Sequence, residues 1–199
     1  MYILYHVSLE PIAQFVPRIP KNVTSGENQT IARICLSESV TNCINKMPGH
    51  ASSLIGLKLC DIDPIIYIYE FRIRSNNKHL LTPEDLHDMV PDFDGEYWLT
   101  KTPKAIREYK ALVTDFHANH MVDQDGNEFY TIKDLKYHFV SDSRDNRQSL
   151  IDKVDGNQKI VQILDRYGVR TVMSNVFSCK KGEIDGKIMS VNEQHSAVC

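Results

Sequence analysis

A basic excess is the first thing this sequence lacks. Its 199 residues carry 23 Lys and Arg against 26 Asp and Glu, a net charge of −3. A protein that grips nucleic acid mainly through phosphates shows a basic excess or a basic stripe, so no clear basic nucleic-acid surface is expected. Long apolar runs are missing too. None approaches the roughly 18 residues needed to span a bilayer, and no membrane partner is expected. The opening MYILYHVSLEP has no basic stretch ahead of its apolar residues, and His6 interrupts them. It reads as a first strand rather than an export signal. The five cysteines, at 35, 43, 60, 179 and 199, form no CxxC pair. They fit a reducing, cytoplasmic setting, with Cys35, Cys43 and Cys60 as small core residues. No Gly-rich phosphate loop, nucleophile elbow or HExxH is present either.

What is present is ordinary globular material. Hydrophobic residues make up 42% and charged residues 25%, which sets disorder aside. The length suits one main core with an appendage, placed at 1–140 and 141–199. Strands are expected at 2–8, 31–36, 64–74 and 95–100, where β-branched and aromatic residues cluster. In 64–74 both faces are apolar, which calls for a central strand covered on two sides. Residues 9–30 hold three prolines and read as a long loop. Ser37 is expected to cap a helix carrying Val40, Cys43, Ile44 and Met47 at helical spacing, closed by Pro48-Gly49. Thr82-Pro83-Glu84-Asp85 starts another short helix, closed by Pro91. The stretch 104–117 fits helix or strand and is read as strand over 108–115, ahead of a hairpin turn at Asp125-Gly126-Asn127. Amphipathic stretches follow near 145–153 and 157–166, then a strand from Tyr167 and a polar tail over 180–199. The fold class is therefore α+β.

Three places carry candidate chemistry. His6 sits in an otherwise apolar strand with Ser8 beyond it, as a core histidine or as a polar group aimed into a cleft. Glu96 opens a strand beside Tyr97 and Trp98, where a carboxylate is partly desolvated and fixed in position. Arg18 lies between two prolines in VPRIP, and Arg33 opens the RICLS strand. A guanidinium on a stiff loop suits phosphate recognition, and pairing with an acid such as Glu27 is the structural alternative. His117, His120 and His138 lack a convincing metal-ligand spacing. Asp123-x-Asp125-Gly126 lacks the acids that would complete a calcium loop.

Taken in order, YHVS, the Pro-Arg loop, RICLSESVTNCI, IYIYEFRI and GEYWLTKTPKAIREYKALV resemble the ADP-ribosyltransferase-like superfamily, in its poly(ADP-ribose) polymerase-type branch. The resemblance covers about residues 2–115. It implies a mixed, mostly antiparallel split sheet with short flanking helices and a C-terminal extension. It also implies NAD as a substrate and a protein or nucleic-acid acceptor. On this pattern His6 would meet the NAD ribose, Ser37 the nicotinamide and Glu96 the reacting ribose as the catalytic acid. Ser8 would join the cofactor-binding set, and Arg18 and Arg33 would face the pyrophosphate. The chain departs from the pattern at Val7, where the family carries Gly. The nicotinamide-stacking tyrosine stays open between Tyr67 and Tyr69. The same fold also allows a non-catalytic module, such as a phage or mobile-element protein that inhibits a host factor. A phosphate-processing activity built on Arg18 and Arg33 is a third reading.

Overall fold

Among the described residues the chain forms seven strands and five helices: β1 (Tyr2–Ser8), β2 (Ile34–Ser37), α1 (Val40–Lys46), α2 (His50–Leu59), β3 (Ile65–Ile73), β4 (Leu80–Leu81), α3 (Pro83–Leu86), β5 (Glu96–Leu99), β6 (Arg107–Val122), β7 (Glu128–Phe139), α4 (Asn146–Val154) and α5 (Gln158–Arg166). The computed structural model describes residues 1–20, 26–47, 49–90, 95–104, 106–123, 126–140, 146–155 and 157–169. Positions 48, 91–94, 125 and 170 onward, with Pro48, Pro91, the tail and most of the expected last strand, lie outside them; the start of that strand, Tyr167 and Gly168, is the turn that ends α5 instead. Among the described residues no helix is long and apolar enough to cross a membrane.

The strands form one sheet in the order β4-β5-β2-β1-β3-β6-β7. Every pairing is antiparallel, where a partly parallel sheet was expected. β2 and β3, each antiparallel to β1, run parallel to one another and are joined by α1 and α2, but β1 lies between them, so this crossover creates no parallel pairing. β3 is the central strand its composition demands. Ile66 and Ile68 join the core on one face, and Tyr67, Tyr69 and Phe71 join a second core on the other. Each such fully buried side chain contributes roughly 1.5–3 kcal/mol, so this strand anchors both layers.

The first core lies under α1, α2, α4 and α5. Val7, Ile66, Ile68, Ala111, Val113 and Ile132 of the sheet meet Ile44, Leu54 and Leu57 of the first two helices there, with Leu150 and Leu164 of the last two. The second core is covered by the loop after β1, whose Phe15 packs on Tyr69 and Phe71 at ring separations of 4.8 and 5.2 Å. A smaller cluster joins Trp98 of β5 to Leu86 of α3 and to Val90.

Three expectations need correction. Ser37 does not cap α1. It is the last residue of β2, paired with Tyr5 on one side and Glu96 on the other. The cap is Ser39, whose extended backbone lets its hydroxyl accept from the Asn42 N–H at 3.1 Å. α2 has no counterpart in the sequence reading. Most of its residues are buried, Ala51 through Leu57 with few gaps, so the amphipathic contrast that marks a surface helix is missing. β6 is also far longer than 108–115. Only its first part, Arg107 to Leu112, pairs with β3, and the rest pairs with β7 alone as a two-stranded arm. A bulge near Asp134, at φ 53°, kinks that arm.

Candidate functional site

Antiparallel pairing brings the expected residues onto three neighbouring strands. Ser37, the last residue of β2, is directly opposite Glu96, the first residue of β5. On the other side of β2 lies β1, which carries His6. β1 and β2 are joined by one residue pair, Tyr5↔Ser37, whereas β1 and β3 share seven. Beyond that pair the Cys35 carbonyl bonds the His6 imidazole instead of continuing the ladder, with Nδ1 at 2.9 Å. A carbonyl only accepts, so Nδ1 carries the proton and Nε2 is an acceptor in the neutral ring. Burial lowers the His6 pKa from 6.5 to about 4, aided by the nearby positive charges of His50 and Arg18. The ring is therefore neutral at physiological pH.

The pleat divides this set between two faces. Side chains alternate along a strand, and Tyr5, Ser37 and Glu96 share a face through their pairing. His6 points to the other, against Phe15 and Tyr69 at ring separations of 5.2 and 6.4 Å.

Around Glu96 the chemistry is dense. The Trp98 indole N–H donates to Glu96 Oε1 at 2.7 Å. Trp98 stands two residues along the same strand, hence on the same face, and is fully buried. The Cys35 thiol, on the strand position opposite Trp98, donates to the same carboxylate. Burial raises the Glu96 pKa, and these two donors and the charge of Lys46 oppose the rise. The Cys35 thiol is itself pushed up to about 12 by burial first and by the Glu96 charge second, so it stays protonated. Gly95, just before the strand, has φ +68°. That backbone suits glycine and turns its carbonyl toward the Ser37 hydroxyl, which donates to it at 2.8 Å.

The other expected residues lie around this centre in different roles. Arg33 is 2% exposed. Its guanidinium lies 3.7 Å from the Trp98 ring centroid. It donates to the Asn28 and Ile31 carbonyls at 2.8 and 3.0 Å and pairs with Glu27. That is the structural alternative raised for it from the sequence. Arg18 is exposed, and its backbone bridges that of Arg33. Ser8 accepts from the Glu10 N–H at 3.2 Å, closing the turn after β1.

Trp98 and Cys35 were missed as partners of Glu96, although Trp98 is the one tryptophan of the chain and stands at the same-face spacing. Nothing in the sequence marks Cys35, because β2 finds β5 only through folding. His117 pairs with Asp134 and His120 with Glu128 across the arm, and among the described residues no group of three or more His, Cys, Asp or Glu could hold a metal ion. Comparison with protein-family models, curated proteins and solved structures finds no match to this chain.

Proposed function

We propose that this chain is an NAD-consuming ADP-ribosyltransferase-like enzyme that modifies a protein or nucleic-acid acceptor. The observation that carries the reading is the adjacency of Ser37 and Glu96 at the ends of two paired strands, with His6 on the next strand across an interrupted ladder. In the reaction the bond between the ribose C1′ and the nicotinamide nitrogen breaks. Its electron pair leaves with neutral nicotinamide, and positive charge develops on the ribose. A fixed carboxylate beside that ribose stabilises the charge, and an acceptor nucleophile then closes on C1′ and loses its proton. Glu96 supplies such a carboxylate, held by Trp98 and Cys35. A neutral His6 with Nε2 as acceptor suits a ribose hydroxyl rather than a phosphate.

Titration calorimetry with NAD on the wild type and on His6→Ala tests the binding half. Nicotinamide release by the wild type and Glu96→Gln tests the chemical half. Micromolar binding lost in the first variant, with turnover lost in the second, supports the reading. No binding at millimolar NAD refutes it.

A second reading has its own observation. Ser37 is 1% exposed and its hydroxyl is bonded to Gly95, and the Arg33 guanidinium is buried and paired with Glu27. Meanwhile Met121, Val122 and Phe129 stand exposed on the arm. That pattern fits a non-catalytic module that binds a protein partner. Its signature is a partner recovered equally by the wild type and Glu96→Gln.

A further inference from the structure

On the face opposite Glu96 lies a half-open hollow of about 370 Å³, within the size range of small-ligand sites. The loop after β1 supplies Ile12, Gln14 and Phe15, β3 supplies Tyr69, and the start of β6 supplies Glu108, with Ile106 just before it. The floor is aromatic and rigid. Phe15 and Tyr69 are 7% and 2% exposed, and the Tyr69 hydroxyl accepts from the Ile12 N–H at 2.6 Å, tying the loop to the sheet. Glu108 is the one charged side chain in the lining.

The Glu108 backbone pairs with β3, but its carboxylate makes no hydrogen bond or ion pair with any described residue. Arg107 approaches Glu70 at 3.9 Å. Lys110, on the same face as Glu108, places its ammonium 5.7 Å from the Tyr67 ring centroid and is not part of the lining. The Tyr69 phenol is pushed up to about 12, chiefly by burial and further by the Glu108 charge. The floor therefore stays neutral, and an anion would meet an acid at the rim with no cation in the lining to offset it.

We propose that this hollow binds an organic cation carried on an apolar stem, an alkylammonium or alkylguanidinium group. The stem lies along Ile12 and Ile106 over the aromatic floor, and the charged head faces Glu108. The same chemistry belongs to a free amine and to a Lys or Arg side chain of a protein. The proposal uses neither Glu96 nor Ser37, although its floor residues Phe15 and Tyr69 also pack against His6.

The test is an amide NMR titration of the full chain with butylammonium and butylguanidinium, with butanol and butyrate as neutral and anionic controls at matched ionic strength. The cations should shift the signals of Ile12 to Phe15, Tyr69 and Glu108 more strongly than either control. Glu108→Gln, a surface change, should weaken the cations by roughly fivefold, the scale of a solvent-exposed charge pair, and leave butanol unchanged. Glu108→Lys should reverse the preference in favour of butyrate. Nα-acetyl-arginine amide separates the sources: affinity equal to butylguanidinium assigns a protein side chain, and weaker affinity assigns a free amine. Equal binding of cation, alcohol and carboxylate overturns the proposal, as does no binding of any probe or a Glu108→Gln variant with unchanged cation affinity.

Discussion

Replacing Trp98 by Phe isolates the hydrogen bond that holds Glu96. The change removes one N–H donor 2.7 Å from the carboxylate and leaves an aromatic ring in place. A hydrogen bond to a charged group is worth about 1.5–3 kcal/mol, and 1.36 kcal/mol corresponds to one pH unit. The Glu96 titration midpoint, already raised by burial, should therefore climb by about one pH unit or more. Carboxyl-carbon NMR reads this directly, with Glu96→Gln assigning the signal. The effect on stability has a definite sign. A carboxyl group whose folded pKa lies above its unfolded value binds protons more tightly in the folded state. Its contribution is fully present below the unfolded pKa and is lost as pH rises through the folded one. The variant should thus lose more stability than the wild type between acid and neutral pH in urea unfolding. The smaller ring and the weaker stacking under Arg33 add a penalty of roughly 1–3 kcal/mol, which is the same at every pH and so separable. An unchanged or lowered Glu96 midpoint would refute the assignment of Trp98 as its holder.

Other substitutions probe the frame. An added methyl at Gly56 would lie 2.9 Å from both Tyr167 Cβ and Val169 Cγ2, so Gly56→Ala should cost roughly 1–2 kcal/mol in urea unfolding despite its better helix propensity. Ser39→Ala should cost about 1 kcal/mol through the lost cap, measured the same way. His6, with its pKa lowered from 6.5 to about 4, should make the fold lose roughly 3 kcal/mol as pH falls from 6.5 to 4. His6→Gln should flatten that part of the stability profile, and an unchanged acid slope would show that His6 titrates normally.

Much of the fold was legible because local chemistry and tertiary context agree. The doubly apolar run of β3 needed cover on both faces and received it. The Thr82-Pro83 start, the turn around Gly126 and the two late amphipathic stretches also appear where their residues place them. The misses share one physical cause. α2 is buried on most sides and so shows no periodic contrast. The length of β6 is set by its partner β7, whose polar and apolar residues alternate too weakly to mark the arm.

The sequence by itself determined the α+β class, the central strand, His6 as a polar residue within an apolar strand and Glu96 as the acid that opens a strand, whereas Ser37 was read as a helix cap and proved to be a strand end. Only the tertiary structure decided how these residues meet. Strand pairing sets Ser37 beside Glu96 although 58 positions separate an equivalent contact, Ser37 to Gly95. The pleat then turns His6 to the opposite face. Folding also committed Arg33 to Glu27 and Trp98 while leaving the Glu108 carboxylate uncommitted at the rim of a hollow. Whether a charged side chain is structural or available depends on what is packed against it, and that is a property of distant segments brought together rather than of neighbours along the chain.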